Sequence, residues 1–153
     1  KRPEVRAALV ARMKYGDLHK VNVEDPAKQQ QQAVDALRII RARQSEYANA
    51  HPDEGYACRL GQLGEPLNPE TELGGLLAHS HYGMEVERCG TAKDMWYVVI
   101  ATSRTNYAYS PFYCMDSGGV IYKYNPGRIN DVIGRVMAVK PELCPLYGER
   151  AEQ

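Results

Sequence analysis

The sequence predicts an α+β domain: a long N-terminal helix packed on a small antiparallel sheet of three to four strands, stapled by disulfides. Three observations carry that expectation. One unbroken helical pattern is bracketed by Asp25-Pro26 and His51-Pro52. Beyond it the hydrophobic period changes, and β-branched or aromatic runs alternate with turn residues. The four cysteines, Cys58, Cys89, Cys114 and Cys144, are widely spaced and form no Cys-x-x-Cys pair, which speaks against zinc knuckles, thioredoxin sites and haem attachment.

The helix is the clearest element. Asp25 is a suitable N-cap and Pro26 suits the first helical position, where a missing N–H is harmless. Val34, Leu37, Ile40, Gln44 and Tyr47 then recur at three- and four-residue intervals, flanked by Ala33, Ala36 and Ala48. The stripe is narrow, as expected of a helix laid along a sheet. Pro52 ends it, because proline disfavours helix at the residue before it, and His51 sits near the last carbonyls, whose partial negative charge suits it. The exit segment 47–64 then passes through Gly55 to Tyr56 and Cys58.

Residues 1–25 read as a separate unit. Val5, Leu9 and Met13 give residues 3–14 the spacing of a short amphipathic helix with a basic opposite face, and a linker follows. Residues 26–153 form the helix-plus-sheet domain. Within it, 58–64 is a turn or short helical piece and 73–77 another helical turn. Strands are expected at 82–86, 95–101, 107–114 and 119–124. Asp116-Ser117-Gly118-Gly119 suits a tight connection, with Asp116 capping its own turn. Residues 129–139 are weakly patterned, and 141–147 are irregular but tethered by Cys144.

Composition excludes several functions. Nineteen Lys and Arg balance 19 Asp and Glu, so no bulk field draws the chain to nucleic acid. The charge is uneven: residues 1–50 hold ten basic and six acidic side chains, and the remainder nine and 13. No run of 18 apolar residues crosses a membrane, and no secretory signal is present at residue 1. An extracytoplasmic placement therefore implies a removed signal or a membrane helix upstream. Four cysteines allow three pairings. Cys58–Cys89 with Cys114–Cys144 is favoured because each closes a medium loop, in an oxidising compartment.

Tyrosine is the compositional outlier, with 11 against one Phe and one Trp. Its ring and hydroxyl suit half-buried contact surfaces. If the strands at 107–114 and 119–124 pair, Tyr107 and Tyr109 share a face, as do Tyr122 and Tyr124. These four are the candidate interaction surface, and cross-strand aromatic packing is the competing role.

Several segments carry a closer likeness. Ala36-Leu-Arg-Ile-Ile-Arg, Gln44-Ser-Glu-Tyr47, Pro52 and Gly55-Tyr-Ala-Cys-Arg-Leu-Gly-Gln-Leu63 resemble the helix exit of type IV pilins and type II secretion pseudopilins. Trp96-Tyr-Val-Val-Ile-Ala is similar to their central strand, and Cys114-Met-Asp-Ser-Gly-Gly-Val-Ile-Tyr to their final hairpin. The resemblance spans about residues 26–124. It departs at 1–25, where pilins carry an apolar membrane helix and this chain an amphipathic basic one. It implies a non-enzymatic bacterial subunit outside the cytoplasm, packed against copies of itself or a membrane complex, with a possible membrane tether and no cofactor. An alternative is a periplasmic module whose tyrosine-lined face holds a small ligand or glycan.

Catalytic signals are weak. His79-Ser80-His81, near Glu85, Glu87 and Cys89, would place two imidazoles on one face of a strand, but two histidines are half a metal site. No Gly-x-Ser-x-Gly elbow or phosphate-binding glycine loop occurs. No enzyme is expected.

Overall fold

The computed structural model describes residues 25–64, 68–137 and 143–152. It is an α+β fold. Helix α1 (Pro26–Ala50) leads through a 3-10 turn (Leu60–Leu63) to α2 (Glu72–Ser80). Strands β1 (Tyr82–Cys89), β2 (Tyr97–Ser103), β3 (Phe112–Asp116) and β4 (Ile121–Tyr124) follow, then α3 (Ile129–Val136) and β5 (Glu149–Arg150). The sheet is antiparallel with order β1-β2-β3-β4-β5. It has one strand more than the sequence suggests, because β5 pairs only two residues, Tyr122 with Arg150 and Lys123 with Glu149. The reading of residues 1–25 as amphipathic helix and linker lies outside the described residues except for Asp25, which caps α1.

The ends of α1 follow from its sequence. Asp25 Oδ1 accepts from Ala27 N at 3.0 Å with Pro26 in the first turn. At the far end Tyr47 O accepts from His51 N, its imidazole Nδ1 lies 2.9 Å from the same oxygen, and its ring stacks on Tyr47. The 25 residues span about 37 Å at 1.5 Å per residue.

Alternation along the strands divides the core in two. One face carries Tyr82, Met84, Tyr97, Val99, Ala101, Tyr113, Met115 and Ile121 against Ala33, Val34, Leu37 and Ile40 of α1 and Leu73 of α2. The other carries Val98, Ile100, Phe112, Cys114 and Tyr124 against Val132 and Val136 of α3 and Cys144. Every residue of β3 is buried, as a strand covered on both sides requires.

Both expected disulfides are present. Cys58–Cys89 ties the segment after α1 to the end of β1, and Cys114–Cys144 ties the chain after α3 to β3, with Cα atoms 5.4 and 5.8 Å apart. The β3–β4 turn closes as its sequence indicates. Asp116 Oδ1 accepts from Gly118 N, Asp116 O accepts from Gly119 N, and Gly119 takes a φ of +89°. Asp116 Oδ2 also accepts from Cys144 N at 3.1 Å, so one carboxylate fixes both the turn and the tethered segment.

Two helices exceed their sequence signal. Thr71 Oγ1 caps α2 by accepting from Gly74 N, and α2 runs nine residues. Gly74 is obligatory there, since a Cβ would lie 1.8 Å from Asn68 O. Residues 129–139, weakly patterned in the sequence, contain α3, with Ile129, Val132, Ile133 and Val136 facing the second core.

Candidate interaction surface

The tyrosine surface is reorganised relative to expectation. Residues 107–111 are not strand. Ser103 Oγ accepts from Asn106 N, and Asn106 O accepts from both Tyr109 N and Ser110 N, winding the chain into a compact turn before Pro111. These local bonds compete with a sheet ladder and win. Tyr107 and Tyr109 therefore lie on a structured loop, 54% and 82% exposed. The loop is anchored below: Tyr82 donates its hydroxyl to Pro111 O at 2.7 Å.

Tyr122 and Tyr124 do share a sheet face, but α3 and the Cys144 segment cover it. Tyr124 is buried, stacked on Phe112 at 5.1 Å, edge-on to Tyr147, and donates to Pro145 O at 2.6 Å. It is core, not a contact surface, and Tyr122 is half-buried beside it. Burial raises the phenol pKa of Tyr82, Tyr97 and Tyr124, and pushes Tyr113 up to about 12. These hydroxyls stay protonated donors at neutral pH.

The histidine pair is separated. Because α2 extends to Ser80, His79 stands exposed in its last turn, and His81 caps it in the left-handed region at φ 58°. The strand alternation that would join them does not exist. Among the described residues no group of three His, Cys, Asp or Glu side chains could hold a metal ion. Among the same residues no helix is long and apolar enough to cross a membrane.

A feature missed in the sequence lies beside the tyrosine loop. A groove of about 630 Å³ runs between the outer edge of β1, the 3-10 turn and α2. Leu60, Leu77, Met84 and Val86 give it an apolar floor, with Arg59, Glu85 and Arg104 at the rim. Arg104 is also the first residue after β2, where the tyrosine loop begins. Its side chain crosses Gly83, whose Cβ would lie 3.1 Å from Arg104 Nε. The register of β1 on β2 shifts between Val86 and Arg88, a bulge that ends the regular edge. Burial, reinforced by Glu85, raises the carboxyl pKa of Glu87 there. Gly83 is the one sequence signal for the groove, since a glycine in a strand often marks close approach.

A second cleft, of about 480 Å³, lies at β4 and β5 among Lys123, Asn125, Arg128 and Tyr147. The Arg128 guanidinium sits 4.2 Å over the Tyr147 ring, and the Tyr147 hydroxyl donates to Asp131. That hydrogen bond, with Arg135 and Arg128 nearby, lowers the Asp131 carboxyl pKa.

No protein-family model, curated protein or solved structure matches the chain.

Proposed function

We propose that this chain is a non-enzymatic structural or assembly subunit with a pilin-like head, working outside the cytoplasm in a filament or a larger membrane-associated complex. The observation that carries the reading is the hydrogen-bonded loop that holds Tyr107 and Tyr109 out in solvent on a fold otherwise closed on both sheet faces. Exposed tyrosines are good anchors for a protein partner, because two χ angles hold a large amphipathic ring and little side-chain freedom is lost on contact. The two disulfides are consistent with an oxidising compartment. The helix laid on an antiparallel sheet, with exit segment and tail each cysteine-tethered, supports the pilin-like architecture.

The test is photo-crosslinking in the native cells, with a photoreactive phenylalanine replacing Tyr109 and, separately, exposed Asp53 near the end of α1 as a control. Covalent products with further copies of the chain or with a membrane-associated protein, formed from Tyr109 and not from Asp53, are expected. Absence of any protein adduct from Tyr109 would overturn the assignment. A small-ligand reading has one observation behind it, the β4–β5 cleft. There Arg128 already covers one ring face of Tyr147, which is the face a sugar would stack upon.

A further inference from the structure

We propose that the outer edge of β1 receives an extended peptide segment of a partner protein as an added antiparallel strand. This inference rests on the β1 edge and the groove beside it, and holds whether or not the chain builds a filament.

The hydrogen-bonding phase of β1 can be read from its neighbours. His81 O accepts from Arg104 N at 2.8 Å, so positions 81, 83 and 85 exchange bonds with β2. The backbone groups of Tyr82, Met84 and Val86 consequently point away from the sheet. Tyr82 N donates to Ser80 Oγ. Among the described residues, no hydrogen bond outside the β1–β2 ladder reaches the backbone of Met84 or Val86. The open stretch is short and ends at the Glu87 bulge, which limits edge-to-edge aggregation without closing the site.

The groove supplies side-chain recognition to match. In an antiparallel pair, directly opposite residues project to the same face. A residue opposite Met84 projects towards Leu60 and Leu77, which favours an apolar side chain of moderate size. Residues opposite Gly83 and Glu85 project to the other face. There the first meets the Arg104 side chain lying over Gly83, and the second meets the Glu85 carboxylate. Among the described residues neither Arg59 nor Arg104 has a carboxylate partner, so an anionic group opposite Gly83 finds an unneutralised guanidinium. Read from its own N-terminus, the complementary strand is basic, apolar, acidic. Backbone bonds then supply affinity and alternate side chains supply specificity.

The probe is acetyl-Thr-Val-Lys-Leu-Glu-Val-Thr-amide, titrated into the isotopically labelled, oxidised protein by NMR. Saturable binding is expected, with the largest amide shifts at Met84 and Val86. The same peptide N-methylated at its leucine should bind at least about tenfold more weakly, since it loses a strand hydrogen bond and gains a clash. Arg104→Glu should weaken the parent peptide about fivefold, and replacing the peptide glutamate by lysine should restore it. Ala78→Trp, on the exposed side of α2, should block the groove and abolish binding. No saturable binding, equal binding of the N-methylated peptide, or shifts centred away from β1 would each overturn the proposal. So would concentration-dependent self-association abolished by Ala78→Trp, which would assign the edge to a second copy. None of these outcomes bears on crosslinking from Tyr109, so the two readings fail separately.

Discussion

Gln44 offers the sharpest test of how the exit segment is held. It lies in the apolar stripe of α1 and is fully buried. Its amide closes a two-bond clamp on one residue: Gln44 Oε1 accepts from Ala57 N at 2.8 Å, and Gln44 Nε2 donates to Ala57 O at 2.9 Å. Ala57 is itself fully buried, so neither backbone group has water to fall back on. Gln44→Met keeps the length and removes both bonds. Each orphaned group costs about 1–3 kcal/mol, so the two together cost about 2–6 kcal/mol. A domain of this size loses roughly 2–4 °C of Tm per kcal/mol, so a fall of about 4–24 °C is expected. Gln44→Glu separates the two bonds. Its carboxylate still accepts from Ala57 N but meets Ala57 O with a negative charge and no proton. Protonated, it donates to that oxygen and rebuilds the clamp. The folded-state pKa of the introduced acid is therefore raised. The restored stability is present below the unfolded carboxyl value of about 4.3 and lost as pH rises through the folded value. Urea unfolding followed by the fluorescence of Trp96, with disulfides intact, measures both. A Gln44→Met loss below about 1 kcal/mol, or a Gln44→Glu deficit that does not narrow in acid relative to wild type, would refute the clamp.

Two further outcomes follow from the tail and its tethers. Each disulfide spans a sequence separation of 31 or 30 residues, so chain entropy assigns about 3–4 kcal/mol to each bridge; urea unfolding in reductant should show the loss, and an unchanged midpoint would contradict it. Glu152 accepts from Arg38 Nε and Arg41 Nη1 at 2.5 and 2.7 Å, and these contacts, the Arg38 hydrogen bond foremost, lower its carboxyl pKa. A depressed folded pKa contributes stability above the unfolded value that disappears as pH falls through the folded one. Glu152→Gln should therefore be less stable than wild type at neutral pH and converge with it in acid, as thermal melts across pH would record.

Much of the architecture was legible because local chemistry and tertiary packing agree there. Asp25-Pro26 and His51-Pro52 delimit α1 to within a residue, and Asp116 to Gly119 form the turn that their side chains and glycines favour. The failures have physical causes. Gly74 and Gly75 lower the helical signal of α2, although Gly74 is required by the approach of Asn68 O. Gly134 does the same in α3, whose apolar spacing at 129, 132, 133 and 136 was otherwise readable. Tyr107 and Tyr109 carry strand propensity, but Asn106 and Ser103 satisfy the backbone locally. The groove had almost no sequence signature. It exists because Cys58–Cys89 draws the 3-10 turn to β1 and because α2 lines the same gap, relations no single segment encodes.

The coverage of the sheet limits where contacts can form. Helices α1 and α2 occupy one face, while α3 and the Cys144 segment occupy the other, so recognition falls to edges and loops. The two edges are not equivalent. β5 presents only Glu149 and Arg150, both exposed, and the chain after it is drawn back to α1 by Glu152. Charged, two-residue edges resist strand addition. β1 presents open backbone groups above an apolar floor, next to the loop that exposes Tyr107 and Tyr109. The β1 edge and the tyrosine loop meet at Arg104, which lines the groove and begins the loop. A partner strand on β1 would therefore end at Arg104, where the loop that carries both exposed tyrosines begins. Arg104 thus links the two features that protein recognition uses, while the opposite edge stays closed.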